Sequence, residues 1–121
     1  MTGVQTCALP ILAAIQLARA WGAGEIIAAA GDDEKLEICR QHGADRLINY
    51  RKAGWVDEIK AAHPKGVDIV IDMVGGDEAE QGLRTLGWRG RFIVVGFAGG
   101  TIPKIPANRL LLNGASAIGV F

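Results

Sequence analysis

Apolar and polar positions along this chain change between two periods, and the changes predict a run of alternating strands and helices. From Leu12 to Trp21, Ala14, Leu17, Ala18 and Trp21 fall on one helical face with Gln16 and Arg19 opposite, and Gly22 stands where such a helix stops. The run "EIIAAA" (25–30) reads as a short strand closed by Gly31, Asp32 and Asp33. "DEKLEICRQHG" (33–43) then returns to helical spacing through Leu36 and Cys39 and ends on Gly43. "DRLINY" predicts a strand, "GWVDEIKAAHP" a helix stopped by Pro64, and "VDIVIDMVGG" a buried strand. "DEAEQGLRTLGWRG" is expected to be a helix using Ala79, Leu83 and Leu86, followed by the strand "RFIVVGFAGG", the short helix "PANRLLLN" and a last strand, "ASAIGVF".

Strand and helix in turn predict a parallel sheet of the doubly wound α/β type, and continuously apolar strands are what a sheet covered by helices on both faces requires. Ligands of such sheets sit beyond the carboxyl ends of the strands. The residues at issue are therefore Gly31 to Lys35, Tyr50, Met73 to Gly76, and Gly96 to Gly100. Glycine there lets backbone approach a dinucleotide closely, although ordinary tight turns use glycine in the same way. At the end of the first strand, Asp32 or Asp33 could accept from ribose hydroxyls or simply cap the next helix. Lys35 could meet a 2′-phosphate together with the Tyr50 hydroxyl, or stand as a solvated surface lysine. The G-x-G-x-x-G-type loop that would join a first strand to a first helix is nowhere before Leu12.

Composition narrows the partners. Half of the 121 residues are hydrophobic, which predicts a globular core, and 13 basic against 13 acidic residues leave no basic stripe for nucleic acid. Cys7 and Cys39 form no CxxC or Cys/His cluster, so metal binding is not expected and both thiols are expected to stay reduced. No apolar run reaches the length of a membrane span, and a cytoplasmic location is expected. His42 and His63 stand alone at helix ends, and no side chain is singled out as a catalytic acid or base.

Taken together, "LAAIQLARAWGAGEIIAAAGDDEKLEICRQHGADRLINY" and "VDIVIDMVGGDEAEQGLRTLGWRGRFIVVGFAGGTIPKIPANRLLLNGASAIGVF" resemble the zinc-independent quinone oxidoreductase branch of the medium-chain dehydrogenases, from Leu12 to Phe121. The resemblance rests above all on "GADRLINY", "DMVGG", "GRFIVVGFAGG" and "IPANRLLL". It implies part of a Rossmann-type domain binding NADPH, with NADH as the alternative, in an enzyme that passes hydride to quinones or α,β-unsaturated carbonyls without zinc. By position, it makes Lys35 and Tyr50 the 2′-phosphate contacts, and Gly31 and Asp32 their neighbours, where many members carry small hydroxyl residues. It makes Val74, Gly75 and Gly76 the adenosine-side strand end, and Gly96, Phe97 and Ala98 the loop beside the nicotinamide. It also implies a homodimer through the last strand.

The family carries a "GAAGGVG"-like loop directly before the first helix, where this chain has "MTGVQTCALPI". Read codon by codon from a GTG start, that segment is similar to a translated short-read sequencing adapter. Residues 1–11 are therefore expected to be non-native and 12–121 to be a partial NAD(P)-binding domain. The fold class expected is an incomplete Rossmann-type doubly wound parallel sheet without its native first strand and glycine-rich loop. Its loss would leave two half-sheets with open edges, no turnover and weak dinucleotide binding. A stand-alone nucleotide-binding module, or a structural or dimerising domain without catalysis, is the alternative.

Overall fold

A computed structural model describes the backbone of residues 3–121 and the side chains of residues 11–121; the Cys7 side chain, with most of those in the segment expected to be non-native, lies outside these. The elements run α1 (Gly3–Ala20), β1 (Ile27–Ala30), α2 (Asp33–Gln41), β2 (Arg46–Asn49), α3 (Trp55–Ala62), β3 (Val67–Asp72), α4 (Gly76–Leu83), β4 (Leu86–Val94), α5 (Ala107–Asn113) and β5 (Ser116–Gly119). They form two compact units, residues 1–55 and 56–121. Among the described residues the strands make two parallel sheets, β1–β2 and β3–β4–β5, as expected for half-sheets of the doubly wound order.

In the first unit β1 and β2 pair in register from Ile27 with Arg46 to Ala30 with Asn49. Alanine at the buried positions 28 and 30 leaves room for α2, whose Leu36 and Cys39 are buried. That helix starts as its sequence dictates. Asp32, in extended conformation, accepts the Lys35 N–H at 2.8 Å, Asp33 and Glu34 fill the first turn, and Arg40 near the end pairs with Glu37. Burial pushes the Cys39 thiol above its usual pKa.

The helix expected from Leu12 begins earlier, at Gly3, and it is turned differently from the expected face. Ile15 is buried with Ile11 and Ala18 beside it, against Ile26, Ala28, Cys39 and Ala44. Leu17 and Trp21, expected inside, are 50% and 81% exposed. A polar anchor accompanies this rotation. The Arg19 guanidinium, on the polar side as expected and exposed, donates to the Gly43 carbonyl at 2.8 Å and to Asp45 at 2.6 Å, and so ties α1 to the turn before β2.

Asp45 Oδ2 also accepts the Ile26 N–H at 2.8 Å, and that bond first, then Arg19, holds its carboxyl below the usual range. Its contribution to stability is therefore present above the unfolded carboxylate pKa and lost as pH falls through the lowered folded value. Asp45→Asn is expected to lower the thermal midpoint at neutral pH and to flatten its decline in acid. A circular-dichroism melting series across pH checks both.

In the second unit β4 is the middle strand, and Val70, Phe92 and Val94 lie on the core side with Ala79 and Leu83 of α4 and Leu110 of α5. Two expectations change here. The helix predicted through Gly90 stops at Leu83, and Leu86 to Gly90 open β4 instead. The Thr85 hydroxyl donates to the Gly82 carbonyl at 2.7 Å, its own carbonyl accepts the Val67 N–H at 2.9 Å, and the chain passes directly into the sheet. At this start Gly66, with φ 86°, meets Gly87 backbone to backbone. A Cβ on Gly66 would stand 2.4 Å from Gly87 Cα, and one on Gly87 would stand 2.3 Å from the Lys65 carbonyl oxygen. The pairing of β3 with β4 then skips from Leu86 to Arg91, with Arg89 at φ 59° inside the bulge.

Among the described residues of this unit, the packing of α4 and α5 lies on one face of the sheet. Register sets Ile71, Ile93 and Ile118 in one row across the three strands, on the side opposite Phe92, and Ile69, Ile71 and Ile118 are exposed. The helices packed on this sheet, α4 and α5, meet the Phe92 side.

Candidate functional site

In the first unit the carboxyl ends of β1 and β2 bring Gly31 and Tyr50 together. The Tyr50 N–H continues the ladder to the Ala30 carbonyl at 3.1 Å, and a Cβ on Gly31 would lie 3.2 Å from Tyr50 Cε1 and 3.3 Å from its hydroxyl oxygen. Gly31 is thus small because an aromatic side chain covers it. Asp32, weighed as a ribose acceptor or a cap, is the cap of α2. Its second oxygen stands 3.9 Å from the ammonium of Lys35, whose side chain is largely covered, so Lys35 is not a fully solvated lysine. The four residues expected from sequence are therefore joined through the Gly31–Asp32 link and two contacts.

Sequence reasoning passed over Arg51. Its Nε would be 2.7 Å from a Gly31 Cβ, on the side Tyr50 covers, and its N–H donates to Asn49 Oδ1 at 3.0 Å. Asn49 in turn donates to Asp33 at 3.2 Å, which ties the turn carrying Arg51 to the start of α2. The only signal in the sequence was adjacency to Tyr50.

In the second unit the ends of β3 and β4 are laced together past the sheet. The Ala98 N–H reaches the Met73 carbonyl and the Gly99 N–H the Val74 carbonyl, each at 2.9 Å, and the Gly76 N–H reaches the Thr101 carbonyl at 2.8 Å. Gly75, at φ 80° and ψ −162°, sits between them, so that a Cβ there would stand 2.4 Å from the Thr101 oxygen and 3.2 Å from Phe97 Cδ1. Val74, Gly75 and Gly76 are thus brought against Phe97 and Ala98, with Gly96 in the same loop.

Asp72, also missed, organises this corner. Buried at the end of β3, it accepts the Val74 N–H at 3.2 Å and the Gly75 N–H at 3.2 and 3.3 Å. Desolvation raises its pKa against the lowering effect of those two N–H bonds. The folded state therefore holds this proton more tightly than the unfolded chain, and the group's contribution to stability falls as pH rises from the unfolded value through the raised one. Asp72→Ala is expected to cost about 1–3 kcal/mol by leaving buried N–H groups unpaired, and Asp72→Asn to recover most of it and remove that fall. Urea unfolding at mildly acidic and neutral pH measures both.

Both histidines stand at helix ends: His42 caps α2, its Nδ1 2.8 Å from the Ile38 carbonyl oxygen, and the His63 backbone N–H closes α3 on Ile59. Among the described residues there is no group of three His, Cys, Asp or Glu side chains that could hold a metal ion. No described helix is long and apolar enough to cross a membrane.

A profile of the zinc-binding dehydrogenases matches residues 12–121. Quinone oxidoreductase-like protein 2 of Bos taurus is 46% identical over 111 residues, which are 91% of this chain and 32% of that protein. Quinone oxidoreductase of Homo sapiens is 39% identical over 110 residues, 90% of this chain and 32% of that one. The chain spans about a third of the length of these curated relatives. Escherichia coli quinone oxidoreductase complexed with NADPH superposes with a TM-score of 0.77 at 29% identity, over 91% of this chain and 34% of the other.

Proposed function

The chain belongs to the zinc-binding dehydrogenase family, and on that premise we propose that it is the nucleotide-binding part of a NAD(P)H-dependent oxidoreductase that reduces quinones or α,β-unsaturated carbonyls without zinc. The observation that carries the reading is similarity to quinone oxidoreductases that extends through both groups of strand ends.

In this reading NADPH is preferred, and the bound nicotinamide supplies the hydride. Lys35 and Tyr50 hold the 2′-phosphate through an ammonium and a phenol hydroxyl. Val74, Gly75 and Gly76 take the adenosine side by close backbone approach. Gly96, Phe97 and Ala98 bound the nicotinamide, Phe97 giving it an apolar wall. None of these residues donates or removes a proton, so the chain's part is binding and orientation. The outer edge of β5, without a strand partner among the described residues, supports a homodimer through that strand.

Titration with NADPH and with NADH, followed by cofactor fluorescence, tests the reading. Saturable binding that favours NADPH is the expected result. Absence of a saturable signal with either coenzyme would sink it.

A further inference from the structure

We propose that Arg51 is a specificity-determining residue that selects a coenzyme bearing a 2′-phosphate, its guanidinium reaching over Gly31 on the side covered by Tyr50. The inference rests on the nucleotide-binding reading above and adds to it a residue which that reading does not use.

Three features of the first unit carry it. The Arg51 Nε and the Tyr50 hydroxyl oxygen both approach one point above Gly31, at 2.7 and 3.3 Å from where a Cβ would be. A guanidinium and a phenol side by side form a donor pair suited to a phosphate monoester, and the glycine, having no Cβ, is what leaves room for both side chains to meet there. Second, the charge of Arg51 is available. Among the described residues its guanidinium makes no ion pair, whereas the neighbouring cation, Lys35, already stands 3.9 Å from the carboxylate of Asp32. Third, its position is fixed from the backbone: the Arg51 N–H is held by Asn49 Oδ1, and the Asn49 amide by Asp33. The side chain thus starts from a defined turn, which lowers the cost of ordering it on a ligand.

An arginine here could instead stack on the adenine ring, and the two roles separate by ligand. Adenosine 2′,5′-bisphosphate and adenosine 5′-monophosphate differ only in the 2′-phosphate, and both can be titrated by NMR chemical shifts without turnover. Arg51→Gln is expected to weaken the bisphosphate about tenfold, the loss of a charge-assisted bond, and to leave the monophosphate unchanged. Arg51→Lys is expected to recover part of the loss as a point charge. Gly31→Ala, whose methyl would push the guanidinium aside, should weaken the bisphosphate alone.

Equal weakening of both ligands by Arg51→Gln would make Arg51 a stacking residue and overturn the selection role. An unchanged bisphosphate affinity would overturn it as well, while leaving the nucleotide-binding reading in place. If the unaltered chain binds neither adenosine ligand nor NADPH, that reading fails and the role of Arg51 fails with it. Arg51 is exposed and its N–H bond survives substitution, so a matching urea midpoint is expected for each Arg51 variant.

Discussion

Gly75→Ala is expected to destabilise the second unit by roughly 3 kcal/mol and to part the loops that follow β3 and β4, because two independent costs fall on one methyl group. The backbone at φ 80° and ψ −162° lies in a region that is essentially reserved for glycine. The Cβ would in addition stand 2.4 Å from a carbonyl oxygen, that of Thr101, which is held in place by the Gly76 N–H. A flexible side chain could swing away, but a hydrogen-bonded backbone oxygen can only move with its loop. Gly100, at φ 89° with nothing within 4 Å of its would-be Cβ, separates the two costs. Gly100→Ala carries the conformational penalty alone, about 1–2 kcal/mol. Urea unfolding of both variants checks the difference, and equal losses would contradict the role given to Thr101.

Phe92→Ala is expected to cost more, about 3–5 kcal/mol, a large share of what a small domain has in total. Phe92 is 0% exposed on the middle strand of its sheet and packs with Ala79, Leu83 and Leu86. Truncation removes most of a large apolar surface and leaves a cavity whose lining comes from strand and helix together, which limits collapse into it. Phe92→Leu keeps most of the volume and should cost less than half as much. The urea midpoint and slope measure both, and a loss under about 1 kcal/mol for the alanine variant would contradict the packing described.

Much of this was legible in the order of residues because local chemistry and tertiary structure agree there. Asp32 before an acidic first turn reads as a cap and is one, and Gly43 and Gly114 end helices where φ is positive. The alternation of elements fixes parallel pairing, which the structure has in both sheets. Expectation and structure diverge where a distant group decides. Leu17 and Trp21 satisfied the helical period as well as Ile11, Ile15 and Ala18 did, and no periodicity reveals that Arg19 would be anchored on Gly43 and Asp45. Leu86 completed a helical spacing, but the contact between Gly66 and Gly87 lies across the chain and commits that leucine to a strand. At the candidate site the glycines and Lys35 were legible as types, whereas Arg51 and Asp72 owe their importance to where a turn and a strand end leave them.

The crossing of Gly66 and Gly87 also has a bearing on how the sequence can drift. A methyl at either position meets fixed backbone of the other segment, and a methyl at both would only compound the collision. No ordered pair of single replacements offers a way through: the second step cannot relieve the first. Escape would require the turn after α3 and the bulge of β4 to change length together. The two glycines therefore act as a hinge pin between neighbouring strands, and insertions or deletions near residue 66 are expected to be tolerated only with compensating changes near residue 88.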